Sequence, residues 1–257
     1  MHTIQTADIV VRGLTVRFRR TKVLDGLSLE VPRGALFALL GPNGTGKTTL
    51  LRALAGIYPV APAVVSLLGH DRARLPLSVQ QRIGYVAEGQ QLPGDLTVRE
   101  LQRYLAPLYP AWDPALSAQL LERFGVPTMR RIGALSRGQR MQVALWAALA
   151  ARPALLLMDE PFTGVDVRVK DQLVDGLLEV MAQGDTTVLL CTHDLAEVEM
   201  LADWLGILAH GRVTHGAPLE QLRAEQMART GEANVTVKAL YLALTAAPVA
   251  AGHGEAA

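Results

Sequence analysis

Residues 41–49 read Gly-Pro-Asn-Gly-Thr-Gly-Lys-Thr-Thr, between the apolar run Ala35-Leu36-Phe37-Ala38-Leu39-Leu40 and a segment with helical character. A buried strand, a glycine-rich turn and a helix opened by Lys-Thr form one unit, which constrains the fold more than any other stretch of the chain. Glycines permit a tight turn, so consecutive backbone N–H groups point inward. The helix behind the turn adds the positive end of its dipole. Such a cup holds phosphate, and the spacing G-x-x-x-x-G-K-[ST], met by Gly41, Gly46, Lys47 and Thr48, is that of a nucleoside triphosphate site. The expected ATP contacts are Gly41, Pro42, Asn43, Gly44, Thr45, Gly46, Lys47, Thr48 and Thr49. Lys47 would reach the β- and γ-phosphates, and the Thr48 hydroxyl would sit on Mg²⁺.

The remaining pattern predicts an α/β fold. Short strands are expected at 9–18, 23–31, 35–40, 64–68, 83–87, 154–158, 186–191 and 205–208. Helices are expected at 48–55, 139–151, 167–183 and 195–202. Strands that alternate with helices imply a parallel sheet covered on both faces. The two leading strands, joined by a polar turn at 19–22, imply an antiparallel β piece beside it. From residue 88 to 136 the character changes. Residues 96–108 and 114–124 have helical apolar spacing, on either side of Tyr109-Pro110-Ala111-Trp112-Asp113-Pro114. This stretch reads as an inserted helical subdomain. The expected organisation is a P-loop core with an antiparallel β subdomain over residues 1–218 and a helical insertion at 88–140. A C-terminal extension follows at 219–257, with short helices at 219–228 and 237–244 and a frayed Ala/Gly-rich end.

Composition narrows the partners. Lys plus Arg is 25 and Asp plus Glu is 24, which argues against a polyelectrolyte grip on nucleic acid. Cys191 is the sole cysteine of the 257 residues, so neither an intrachain disulfide nor a thiolate metal cluster is available. It lies in the apolar run Thr187-Val188-Leu189-Leu190-Cys191 and reads as a buried strand residue, in keeping with a reducing cytoplasm. Asp8, Arg12 and Arg17 interrupt any leader-like apolar start, and no apolar run approaches the roughly 20 residues a membrane span needs. The expected location is cytoplasmic, docked peripherally on the inner face of the membrane.

A second motif completes the chemistry. Ala154-Leu155-Leu156-Leu157-Met158-Asp159-Glu160 is an apolar strand ending in two carboxylates. In an open parallel sheet, ligands gather at the carboxyl ends of strands. Asp159 is therefore expected on Mg²⁺, and Glu160 is expected to orient or deprotonate an attacking water.

Leu135-Ser136-Arg137-Gly138-Gln139 stands shortly before that pair. With these motifs in this order, the chain resembles the nucleotide-binding domain of ATP-binding-cassette (ABC) proteins over about residues 9–218. The family pattern is Leu-Ser-Gly-Gly-Gln; this chain has Arg137 at the third position. The resemblance implies that Ser136, Gly138 and Gln139 meet the γ-phosphate held by another subunit, although Ser136 also suits a plain helix N-cap. Thr163-Gly164-Val165-Asp166 resembles the family's Ser-Gly-Leu-Asp loop, so Asp166 would couple two sites across a dimer, or cap the helix that follows. His193 matches the switch histidine, which would hold the γ-phosphate and Glu160. Phe18 takes the place of the aromatic that stacks on adenine, or packs as an ordinary strand residue. The family often has Gln after the strand at 83–87, where this chain has Glu88. Glu88 is expected to take the γ-phosphate-sensing and Mg²⁺ role, with a full charge in place of an amide carbonyl. Arg137 either adds a cation near the partner's nucleotide or is merely exposed.

These elements imply an ATPase that is complete only as a head-to-tail dimer, with itself or a similar cassette. Separate integral-membrane permease subunits would dock on residues 88–136. Trp112 there is an anchor for them or packs inside the subdomain. The segments at 84–88, 96–100 and 109–113 resemble bacterial export-type cassettes. The alternative is a soluble ABC ATPase serving nucleic acid, the ribosome or an assembly scaffold.

Overall fold

The computed structural model describes residues 6–87, 89 and 91–246. Two strands, β1 (Ala7–Phe18) and β2 (Thr21–Pro32), form a long hairpin. After it come β3 (Leu36–Leu40) and the helix α1 (Lys47–Ala55), then β4 (Val65–Leu67), β5 (His70–Asp71) and a single turn, α2 (Leu77–Gln80). β6 (Ile83–Ala87) precedes α3 (Val98–Leu105), α4 (Pro114–Arg123) and α5 (Arg137–Ala150). β7 (Leu155–Asp159), α6 (Val167–Ala182), β8 (Thr187–Thr192), α7 (Leu195–Leu201) and β9 (Trp204–Ala209) complete the alternating part. β10 (Arg212–Pro218), α8 (Leu219–Thr230) and α9 (Val237–Ala246) close the described chain.

Two sheets result. One is antiparallel, in the order β2-β1-β4-β5. The other runs β10-β9-β3-β8-β7-β6, parallel except for the β9–β10 hairpin. Period-two alternation along β3 explains how one short strand serves three apolar clusters. Phe37 and Leu39 face α1 and the antiparallel sheet; Leu36 joins the α4–α5–α6 side; Ala38 and Leu40 meet α7, α8 and α9. β3, β7 and β8 are buried along their whole length, which is why they read as continuous apolar runs.

The predicted P-loop core, antiparallel β piece and helical stretch all appear in this architecture. The helix expected over 96–108 is shorter, starting at Val98 behind a capping box in which Thr97 and Glu100 satisfy each other's backbone N–H groups. The helix expected from Gln139 starts two residues earlier, at Arg137, capped by Ser136. β10 escaped the sequence reading. Its residues alternate weakly and include a glycine; the signal was the His210-Gly211 pair, whose left-handed φ angles of 51° and 71° turn the hairpin. The two C-terminal helices are not loose additions, since Leu219, Leu222, Val237 and Leu240 bury against β3, α7 and β9. The frayed end expected beyond residue 246 lies outside the described residues. Trp112 is packed rather than displayed: its ring meets the buried Trp146 edge-on at 5.7 Å.

Candidate nucleotide site

Register brings the motifs together. β3, β8 and β7 are parallel neighbours with Leu40 opposite Thr192 and Cys191 opposite Asp159. The loop after β3, the pair ending β7 and the histidine after β8 therefore emerge along one sheet edge, although the loop lies more than 100 residues before the other two in sequence.

In the loop, Gly46 caps α1 with φ 109°, and a Cβ there would stand 2.6 Å from the Leu24 side chain. Only glycine permits both that φ and that closeness. Thr45 steadies the turn by donating its hydroxyl to the Pro42 carbonyl at 2.9 Å. Lys47 is buried, and its ammonium folds back over the loop. It donates to the carbonyls of Gly41 at 2.5 Å and Pro42 at 3.2 Å, and pairs with Glu160 Oε1 at 3.2 Å. The Thr48 hydroxyl donates to Asp159 Oδ1 at 3.1 Å, so hydroxyl and carboxylate face one point. Burial pushes the Asp159 carboxyl above its ordinary range, while the Thr48 hydrogen bond works against that rise.

Glu160 has left-handed backbone, φ 48°, uncommon for a residue with a side chain, and its N–H is pinned to the Cys191 carbonyl at 2.9 Å. Its Oε2 accepts from His193 Nδ1 at 2.8 Å and from the Thr163 hydroxyl at 3.3 Å. A carboxylate oxygen accepts here, so His193 presents Nδ1–H to Glu160 and turns Nε2 away from it. Oε1 accepts no hydrogen bond among the described residues and has only the ion pair with Lys47.

Several partners of this cluster were not foreseen. Lys170 on α6 pairs with Asp194 at 3.2 Å and with the buried Glu197 at 3.1 Å; Glu197 Oε2 accepts from Thr192 Oγ1 at 2.6 Å. That network grips the residues on both sides of His193. Its members are up to 27 residues apart, with no local pattern to join them. Burial raises the Glu197 carboxyl, against the pull of Thr192 and Lys170.

Phe18 is 44 % exposed at the end of β1 and packs edge-on against Tyr58 with centroids 5.5 Å apart. It is therefore a displayed ring and not a core residue. Tyr58 accepts from Arg52 Nη1 at 3.1 Å, and Arg52 also partners Tyr85, whose phenol is raised first by burial and then by the charge of Asp159. Cys191 is fully buried in β8 and its thiol is pushed well up by burial, as expected of an inert strand residue.

Ser136, Gly138 and Gln139 do not join this cluster within the chain. The Ser136 hydroxyl accepts from Gln139 N–H at 3.2 Å and the Gln139 amide oxygen accepts from Ser136 N–H at 3.0 Å, a reciprocal cap at the exposed start of α5. Asp166 likewise caps α6, accepting from Arg168 N–H at 3.0 Å. Glu88 and Gln90 lie outside the described residues.

Residues 24–163 match the family model described as ABC transporter. The ABC transporter ATP-binding protein YtrB of Bacillus subtilis (strain 168) is 30% identical over 90% of this chain and 80% of its own length. The Nod factor export ATP-binding protein I of Burkholderia orbicola (strain AU 1054) is 34% identical over 86% of this chain and 75% of its own length. Other relatives carry the names of import systems. A solved structure titled as an ATP binding subunit of an ABC transporter superposes with a TM-score of 0.81 at 28% identity, covering 93% of this chain and all of that one. The chain thus belongs to the ABC transporter family, as its ATP-binding, ATPase cassette.

Proposed function

We propose that this chain is the ATP-hydrolysing subunit of an ABC transporter, active as a head-to-tail dimer with itself or a similar cassette. The observation that carries the reading is the convergence of Lys47, Thr48, Asp159, Glu160 and His193 at one sheet edge. Lys47 and the loop N–H groups would bind the β- and γ-phosphates. The exposed Phe18, backed by Tyr58, would take the adenine ring.

The donor set fits Mg²⁺. Thr48 and Asp159 offer two adjacent oxygens, and the described residues hold no group of three or more carboxylate, histidine or cysteine side chains suited to a metal. Mg²⁺ keeps waters and phosphate oxygens as its other ligands, so two protein oxygens suffice. When bound there, it would neutralise charge on the phosphates. Glu160 would accept a proton from water through Oε1, which pairs with Lys47 and accepts no hydrogen bond among the described residues, while His193 holds Oε2 in place. Glu88 is kept as the γ-phosphate-sensing ligand on sequence grounds alone.

Ser136, Gly138 and Gln139 head an exposed helix N-terminus, suited to an anion that the chain does not itself hold. That supports a composite site completed by a second cassette, with Asp166 beside it. In our reading, the domain of residues 1–218 docks permease subunits through the stretch 88–136. A shallow apolar cavity of about 220 Å³ opens there beside Leu101, Tyr104, Leu105 and Tyr109, and Tyr104 is 63 % exposed. No described helix is long and apolar enough to cross a membrane, so the translocation path would belong to those partners. The export reading rests on the segments 84–88, 96–100 and 109–113. Relatives carry names of both directions, which favours the membrane subunits as the place where direction is set. We place the assembly on the inner face of the cell membrane.

The test is Glu160→Gln. It should keep ATP binding, slow turnover by roughly 100-fold or more, and trap an ATP-bound dimer visible by size-exclusion chromatography. A variant that stays monomeric with ATP at high protein concentration overturns the dimer reading.

A further inference from the structure

Arg137 stands where the ABC pattern has glycine, at the first residue of α5. A cation at a helix N-terminus is opposed by the dipole, so the position must be offset by what the side chain reaches. Its Nη2 donates to the Thr163 carbonyl at 2.9 Å. The guanidinium also lies flat against Gly164: a Cβ built there would stand 2.8 Å from Nη1, 2.9 Å from Cζ and 3.2 Å from Nη2. Gly164 has φ 67°, so the loop needs glycine at this point for its backbone and for the arginine above it. The hydroxyl of the same Thr163 donates to Glu160 Oε2 at 3.3 Å.

A continuous path follows. Arg137 holds the carbonyl of Thr163, Thr163 holds Glu160, and Glu160 pairs with Lys47 and His193. One end of the path is the Ser136–Gln139 turn; the other is the chain's own phosphate cup. We propose that Arg137 is a positioning residue. It ties the Ser136–Gln139 turn to the Thr163–Asp166 loop within one chain, so that both meet the partner's nucleotide as one preset surface linked to this chain's own Glu160. The inference rests on the composite-site reading above. It differs from a plain cation aimed at the partner's phosphates, because the guanidinium donates from Nη2 to the chain's own loop and covers Gly164 there. It differs from a merely exposed side chain, because its removal unties a loop.

Two measurements test it. The first is amide hydrogen exchange in the nucleotide-free chain. Arg137→Ala should speed exchange at Gly164 and Val165 by roughly 10-fold, the loss expected for one charge-assisted hydrogen bond. Arg137→Lys should behave like Ala, because a lysine keeps the charge but lacks the planar fork that covers Gly164. Unchanged exchange in Arg137→Ala overturns the tether. The second measures the protein concentration for half-maximal ATP-dependent dimerisation in the Glu160→Gln background. It should rise roughly 5- to 10-fold with either Arg137→Ala or Arg137→Lys, because the loop must then be ordered on assembly. A lysine variant that dimerises like the parent, while the alanine variant does not, overturns the tether in favour of a simple cation. If Glu160→Gln alone fails to dimerise, the composite-site reading falls, and the exchange result still decides the tether by itself.

Discussion

Lys47 and Asp159 are each 5 % exposed and Glu160 8 %, whereas Ser136 and Arg137 stand open to solvent at the start of α5. The phosphate-loop face is built where three parallel strands end, so its side chains are held by the sheet and by one another. The Ser136–Gln139 face is built on one helix terminus, and its polar groups are satisfied by a local cap. The first face carries buried charge and backbone strain at Glu160; the second carries neither. The difference fits the proposed division, in which one face serves chemistry and the other docking. A buried carboxylate held between a lysine and a histidine suits a reaction step, while an exposed helix N-terminus suits arrival of an anion held elsewhere.

The sharpest way to break this comparison is complementation. Lys47→Ala and Ser136→Ala should each lose nearly all phosphate release on their own. Mixed in equal amounts, they should recover roughly a quarter of wild-type turnover, because half the dimers then hold one intact site of two. Absence of recovery, with heterodimers demonstrated by differential tagging, would show that the two faces serve the same chain.

A smaller effect is expected at Phe18. Its ring is displayed, and among the described residues it is linked to the Lys47–Asp159–Glu160 cluster through Tyr58, Arg52 and Tyr85. Phe18→Ala should raise the ATP KM about 10-fold, the worth of one base–aromatic stack, and leave kcat within twofold. A fall in kcat with constant KM would remove Phe18 from the base platform.

The smallest effect is one of stability. Burial raises the Asp159 carboxyl, so the folded state carries a penalty for holding it ionised. A raised acid gives a penalty that is complete above the folded pKa and vanishes below the unfolded one. Asp159→Asn should therefore stabilise the nucleotide-free chain by about 1 kcal/mol near neutral pH. That gain should shrink as pH falls into the carboxylate range, as read by denaturant unfolding at several pH values. A destabilised Asn variant at neutral pH would mean that the Thr48 hydrogen bond outweighs burial.

Much of this was legible in the sequence for a simple reason. The loop at 41–49 and the strand ending in Asp159-Glu160 are local patterns, whose chemistry follows from spacing along a few residues. The cap at Ser136 and the cap at Asp166 were legible on the same ground. β10 was not, because a weakly alternating edge strand with a glycine leaves little periodic signal. The Lys170–Asp194–Glu197 grip on His193 was invisible as well, since its partners are 24 and 27 residues apart and only packing brings them together.

Sequence alone determined the nucleotide loop, the apolar strands that feed it, the caps that start its helices and the membership of the family that the comparisons then established. Tertiary structure alone decided that Glu160 Oε1 pairs with Lys47, that Phe18 is displayed while Trp112 is packed, and that Arg137 reaches Thr163. The physical reason is range. Turn chemistry and hydrophobic period act within a few residues, whereas the partner of a charge or a ring is whatever the packing of distant elements brings beside it.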